Sequence, residues 1–410
     1  MKDATIPYGR QDISEADIAS VEDCLRGEWL TQGPKVAEFE AGLCAATGAQ
    51  HAVAVANGTA ALHLGALASG LQPGDLAITS AISFVASANC LEYCGAEVRF
   101  ADVDPATGLM CLDSLTRVVD EAVRNRRPPR LIVPVDLAGQ VAPLDSIREL
   151  ADRAGAEVLS DAAHSLGASY RVDGKRYGAA SCSHSDQAIL SFHPVKNITT
   201  GEGGAILTND SAKAAKLGKL RAHGIHKSPQ EMSVAQDDPY VGPWYYEQDI
   251  LGFNYRITDI QCALGISQLG RLPEFMARRA AIAARYDQAL SGGGLAEYFQ
   301  PLGLLPGNSS AYHLYVLQLK VEVGEAPESV AERRKDLYLF LHEHGVLCQV
   351  HYIPIPWQPY FSSKYGFRRD NFPGAAAYYS RSLSLPMFSS LTDAQIDRVI
   401  DLLGSWVDLQ

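Results

Sequence analysis

Short apolar and β-branched runs return at intervals through the first part of this chain, and helical patterns fill the gaps between them. HAVAVA (51–56), DLAITS (75–80), EVRFADV (97–103), RLIVPVDL (130–137) and EVLSDA (157–162) read as strands, while 58–70, 84–94, 113–124 and 145–154 read as helices. Alternation at this spacing predicts a mainly parallel sheet covered on both faces. AILSFH (188–193) and GAILTND (204–210) add two strands joined by a Gly-rich loop. Residues 256–290 then turn helical, with a kink expected at Pro273. HLYVLQLKV (313–321) and VLCQVHY (346–352) read as strands, with helices at 328–344 and 392–407. The expected fold class is α/β: a large domain (1–265) with a mainly parallel sheet between helices, and a small α+β carboxy-terminal domain (266–410). A length of 410 residues agrees with about two domains.

The uncharged stretch 51–74 is long enough to cross a bilayer. Asn57, Thr59, His63, Ser69 and several glycines interrupt it, which hydrocarbon would penalise, so it is expected to lie in a globular core. Acidic residues outnumber basic ones, 47 to 35, for a net charge of −12. That surface repels phosphate backbones and argues against nucleic acid or an anionic membrane as partner, without excluding a local pocket for a small anion. MKDATIPYGRQDISEADI shows no export signal, and the eight cysteines (24, 44, 90, 94, 111, 182, 262 and 348) are scattered. Both readings place the chain in the cytoplasm with reduced thiols.

In parallel α/β sheets, ligands bind at the carboxyl ends of strands. Asn57-Gly58-Thr59 follows the first strand and opens a helix, where backbone N–H groups and the Thr59 hydroxyl could cradle a phosphate. The plain alternative is an ordinary helix cap. Asp161 ends its strand, with His164 three residues later; the acid could pair with a protonated ring nitrogen, hold a metal, or merely cap a helix. His164 by itself could be a structural histidine. Lys196 stands five residues after the strand-end Ser191, in a loop that runs on through Gly201-Glu202-Gly203-Gly204. Burial would strip the charge from such a lysine, and its amine could then form a Schiff base with an aldehyde cofactor. In water it would be an ordinary surface lysine.

Taken together, in this order and spacing, these residues resemble the sugar aminotransferases of the DegT/DnrJ/EryC1/StrS family, pyridoxal-phosphate enzymes of fold type I. Ile6-Pro7-Tyr8, Leu30-Thr31-Gln32-Gly33-Pro34, Phe84-Val85-Ala86-Ser87-Ala88-Asn89, Gly252-Phe253-Asn254-Tyr255-Arg256-Ile257-Thr258-Asp259-Ile260-Gln261 and His351-Tyr352 extend the resemblance over nearly the whole chain. It implies that Lys196 holds pyridoxal 5′-phosphate and moves the substrate proton, and that Asp161 keeps the pyridine nitrogen protonated. His164 would lie near the phenolic oxygen, and Phe84 would stack on the ring. Gly58, Thr59 and Ser191 would take the phosphate, and Asn254 would reach the phosphate in a neighbouring subunit, making a homodimer with shared active sites the working unit. Tyr8, Thr31, His351 and Tyr352 would line the sugar-nucleotide pocket, and no metal is implied. Two positions depart from the family pattern, Asn57 for the usual Ser and Ser160 for the usual Glu, and neither removes a catalytic group.

Within the family, Val135-Asp136-Leu137-Ala138-Gly139 and Val350-His351-Tyr352-Ile353-Pro354 resemble the transaminases of pseudaminic-acid biosynthesis. The substrates so implied are L-glutamate and a UDP-linked 4-keto-6-deoxy-N-acetylhexosamine, aminated at C4, though relatives differ in the keto sugar they accept. Three rival readings remain. A sugar dehydratase of this fold would carry histidine at the position of Lys196, and a non-catalytic regulator would not need the lysine, aspartate and phosphate set. A metal hydrolase would have to assemble Asp161, His164, Cys182 and His184.

Overall fold

The computed structural model describes residues 5–228, 230–234 and 238–410. Its strands are β1 (His51–Val55), β2 (Leu76–Ser80), β3 (Glu97–Ala101), β4 (Leu131–Val133), β5 (Glu157–Asp161), β6 (Ser169–Val172), β7 (Lys175–Gly178), β8 (Gln187–Ser191), β9 (Gly204–Thr208), β10 (Ile225–His226), β11 (Glu247–Gln248), β12 (Phe299–Pro301), β13 (Tyr315–Leu319) and β14 (Ser382–Leu385). Seven of them form one sheet in the order β1-β9-β8-β5-β4-β2-β3. The pairs from β8 through β3 are parallel, and β9 alone runs antiparallel, to β1 on one side and β8 on the other. The mainly parallel sheet is therefore as expected.

Helices cover both faces because successive strand residues point opposite ways. Val53, Val55, Leu131, Val133, Leu159, Ile189 and Ile206 share a core with α3 (Gly58–Ala68), α4 (Ala86–Tyr93) and α7 (Ser211–Arg221). The alternate residues Ile78, Ile132 and Val158 pack on α5 (Leu112–Arg124) and α6 (Leu144–Ala154). Ala54, Leu190 and Leu207 meet Phe39 and Leu43 of α2 (Pro34–Thr47) and Cys262 of α8 (Asp259–Gly270). The uncharged stretch 51–74 is β1 followed by α3, whose residues from Ala60 to Ala66 are all buried. No helix among the described residues is long and apolar enough to cross a membrane.

A second core gathers Tyr286, Phe299, Leu317, Leu337, Leu403 and Trp406 around the antiparallel sheet β12-β13-β14, and Ile6 packs into it from the start of the chain.

Local readings differ in four places. RLIVPVDL pairs only over Leu131–Val133, because Pro134 has no N–H to donate; the chain recovers a single bridge between Val135 and Asp161. VLCQVHY forms no strand, but single bridges from Val346 to Ile6 and from Gln349 to Ser384. Pro273 does not kink a helix. It opens α9 (Leu272–Leu290), after α8 has ended at Gly270, and a first-turn proline has no intrahelical bond to lose. Finally α1 (Glu15–Arg26), α2, α7, the helices at Leu295–Tyr298, Pro359–Tyr365 and Pro373–Arg381, and the strands β6, β7, β10, β11, β12 and β14 were not anticipated from the sequence pattern.

Candidate active site

Because β9 is antiparallel, its first residue lies at the same sheet edge as the carboxyl ends of β1, β5 and β8: Val55 and Ser191 both pair with Gly204. Three chain segments thus converge where α3 begins. Asn57 leaves β1 extended, and its Oδ1 accepts the Ala60 N–H at 2.8 Å. The first N–H groups of α3 have no intrahelical acceptor and carry the positive end of the helix dipole. Two positions beside them leave room only for glycine. A Cβ on Gly58 would lie 2.9 Å from Ser191 Cβ, and one on Gly204 would lie 2.5 Å from the Asn57 carbonyl oxygen.

Above this cradle opens a cavity of about 680 Å³, within the range that small-molecule sites occupy. Lys196 borders it from the loop between β8 and β9. That loop is tied down by Lys196 N–H to the His193 carbonyl at 2.9 Å and Asn197 Nδ2 to the Leu166 carbonyl at 2.9 Å. Burial lowers the Lys196 amine from 10.5 to about 8, against the opposing pull of Asp161. A substantial fraction of the amine is then uncharged near neutral pH, as a nucleophile must be.

Asp161 is 6 % exposed. Its Oδ2 accepts from Ser87 Oγ at 2.6 Å, and Ser87 Oγ is itself 2.6 Å from Ser83 Oγ; its Oδ1 accepts the Ala163 N–H at 3.3 Å. Burial raises this carboxyl, while Ser87, Ala163 and Lys196 pull it back. Three imidazoles complete the floor. His313 Nε2 is 3.4 Å from Lys196 Nζ, the His164 and His313 rings are 4.3 Å apart, and His164 Nε2 meets the Tyr352 hydroxyl at 3.3 Å. Burial, then the Lys196 charge, holds His164 and His313 well below the usual histidine range and brings His351 to about 4. All three stay neutral at pH 7. Near the rim, the Phe84 and Tyr352 rings are 6.1 Å apart, and Tyr8 faces His351 at 5.5 Å.

Tyr8, Gly58, Thr59, Phe84, Asp161, His164, Ser191, Lys196, His351 and Tyr352 all line this cavity. Thr31, bridged to Thr258, and Asn254, bridged to Ala222, lie outside it. Cys182, bonded to the Leu207 carbonyl, and His184, bonded to Tyr170, also lie outside, so the hydrolase grouping is not assembled. Residues not anticipated are His313, Ser87, Tyr255 and Glu202. His313 stood as the first letter of a strand, and Ser87 lay within a motif read for Phe84 alone.

The donor set fits a phosphorylated aromatic aldehyde with a basic ring nitrogen. It offers an amine whose charge burial weakens, a buried carboxylate, and a helix terminus packed closely by Gly58 and Gly204. Among the described residues His164 Nδ1 and His313 Nδ1 are buried without a hydrogen-bond partner, and both residues line this cavity.

Comparison with known proteins points the same way. The DegT/DnrJ/EryC1/StrS aminotransferase family matches residues 11–404. The chain is 36 % identical over 398 residues to the spore coat polysaccharide biosynthesis protein SpsC of Bacillus subtilis, covering 97 % of this chain and 95 % of that one. Among solved structures it is similar to PseC of Helicobacter pylori, an aminotransferase involved in the biosynthesis of pseudoaminic acid, at 28 % identity and a TM-score of 0.85, covering 99 % of this chain and 100 % of that one. The putative sugar aminotransferase Spr1654 of Streptococcus pneumoniae, in its pyridoxal-phosphate form, is 28 % identical with a TM-score of 0.85 and 99 % of each chain covered.

Proposed function

The chain belongs to the DegT/DnrJ/EryC1/StrS aminotransferase family and is a pyridoxal-phosphate-dependent sugar aminotransferase of fold type I, and from that premise we propose that it moves the amino group of L-glutamate to C4 of a UDP-linked 4-keto-6-deoxy-N-acetylhexosamine. The observation that carries the substrate reading is the likeness to PseC over 99 % of this chain and 100 % of that one. The greater identity to SpsC, 36 %, favours a second reading, in which the acceptor is another nucleotide-linked keto sugar destined for a polysaccharide.

In this proposal Gly58, Thr59 and Ser191 hold the cofactor phosphate, Phe84 covers the ring face, and Asp161 holds a proton at the ring nitrogen. The bound cofactor supplies an electrophilic carbon and an electron-withdrawing ring. Lys196 Nζ would hold the cofactor and, once released by the incoming amine, would move a proton from the donor's carbon to the cofactor's aldehyde carbon in the first half-reaction and in the opposite sense to the sugar carbon in the second. His164, neutral and hydrogen-bonded to Tyr352, orients the phenolic edge, and Tyr8, His351 and Tyr352 contact the sugar. Glutamate leaves as 2-oxoglutarate, its new keto oxygen taken from water, and the sugar's keto oxygen leaves as water.

A homodimer completes the site. Lys196 is the one lysine or arginine among the described residues lining the cavity, yet the cofactor, glutamate and nucleotide are all anionic. A second copy brings the missing groups, with the exposed Asn254 reaching toward the phosphate. The exposed Tyr240, Trp244 and Tyr246 on the adjoining segment supply apolar area for that contact. The eight free cysteines support a cytoplasmic setting. The two domains divide within α8, near residue 265. The test is an assay with glutamate and a panel of UDP-, dTDP- and GDP-linked keto sugars, read by product mass. Turnover confined to a dTDP- or GDP-linked sugar would replace the UDP reading.

A further inference from the structure

The ribbon of β10 and β11 is closed at its base by charged groups. Lys219, near the end of α7, donates to Glu231 Oε2 at 2.6 Å and Asp249 Oδ2 at 2.8 Å, and so draws two exposed carboxylates together. Beside them His226 is 8 % exposed, and neither of its ring nitrogens has a hydrogen-bond partner among the described residues. Its Nε2 lies 3.9 Å from Asp249 Oδ2. One ligand atom from each of His226, Glu231 and Asp249 lies within 4.8 Å of the others. A buried imidazole left unpaired is unfavourable, and this one faces a pair of carboxylates.

We propose that His226, Glu231 and Asp249 form a binding site for a divalent transition-metal ion of the zinc type, with Lys219 as its built-in competitor. One neutral imidazole and two carboxylates are donors that Zn²⁺ accepts at about 2.0–2.2 Å, leaving a fourth position for water. The donor atoms must close in from their present spacing. Glu231 and Asp249 are exposed and can turn once Lys219 releases them, while His226 is held by burial. Entry is direct from solvent. The ammonium leaves as the ion arrives, and a double charge gains more from two carboxylates than a single one does. Glu231 follows β10 and Asp249 follows β11, so a bound ion would tie together the two ends of the segment that carries Tyr240, Trp244 and Tyr246. The active-site cavity shares none of these residues.

The test uses cofactor-loaded enzyme stripped with a chelator, titrated with Zn²⁺ by calorimetry, then desalted and measured for metal content. The expected result is one ion per chain, bound at least about tenfold more weakly in H226Q. D249N, an exposed change that spares the fold, should weaken it similarly. K219M, by removing the competitor, should tighten binding by roughly tenfold. Zn²⁺ affinity equal in the wild type, H226Q and D249N would show an ion-pair cluster only and overturn the proposal. So would a K219M variant that binds no more tightly than the wild type.

Discussion

Replacing Asp161 with asparagine should ease cofactor capture at neutral pH while it slows amino transfer. The amine of Lys196 must be uncharged to attack an aldehyde, so capture should rise with pH through its pKa of about 8. At that value about a tenth of the amine is neutral at pH 7, against a few parts in ten thousand for a lysine at the ordinary 10.5. The Asp161 charge is what keeps the value from falling further. The substituted amide would retain an acceptor for Ser87, 2.6 Å away in the wild type, but not the charge. The capture midpoint should therefore drop below 8, and capture at pH 7 should speed up by no more than about tenfold, since complete neutrality is the ceiling. Amino transfer should fall by about a hundredfold or more, as when a group that stabilises developing charge is lost. Apoprotein mixed rapidly with pyridoxal phosphate from pH 6 to 9 gives the first quantity by absorbance, and a single turnover with glutamate gives the second. A capture midpoint that moves upward in D161N would refute the electrostatic reasoning, and near-normal transfer would remove Asp161 from the site.

Asp136, 1 % exposed, accepts from Ser165 Oγ at 2.6 Å and from the Ala142 N–H at 2.9 Å, and burial lifts it from 3.8 to about 7. The folded protein holds this proton more tightly than the unfolded chain, so stability present below pH 3.8 is lost as pH rises to about 7. The melting temperature of D136N relative to wild type should thus be more favourable at pH 8 than at pH 5; an identical difference at both would count against a buried charge. N57A loses the cap on α3, and should lower stability by about 1 kcal/mol in denaturant titrations together with cofactor affinity; unchanged affinity would separate Asn57 from the phosphate cradle. Mixed dimers of inactive K196A and N254A subunits should regain one intact site and measurable activity. Mixtures as inactive as their parents would argue against a site shared in this way.

The central strands are readable because burial on both faces demands unbroken apolar and β-branched residues, as in Leu131-Ile132-Val133. Strand ends are less so, since a single missing N–H at Pro134 ends pairing that the run of side chains suggests should continue. The helices α1 and α7 escaped because exposed polar residues dilute their apolar stripes: α1 buries only Asp17 and Cys24, and α7 only Leu217 and Leu220. Gly58, Asp161, Ser191 and Lys196 were legible as neighbours because each stands at or beyond a strand's carboxyl end and all four line one cavity; position alone left each a plain structural alternative, and the resemblance of the ordered set gave them their proposed roles. Ser87 and His313 belong to the same site through contacts with Asp161 and Lys196, 74 and 117 residues away in the chain. No local pattern records such distances.

The antiparallel strand β9 also sets an order of assembly. Its pairing with β8 closes a short loop and costs little chain entropy. Its pairing with β1 joins His51 to Thr208, so β1 leaves the ribosome long before its only sheet neighbour exists. Until β9 arrives, β1 has no partner in the sheet, and Asn57 and Gly58 lack the Gly204 backbone that lies against them, although Ser191 on β8 is already made. The turn that opens α3 is therefore a late product of folding: an amino-terminal fragment ending before residue 204 would contain most of the sheet and still lack the strand that holds β1, and the turn after it, in place.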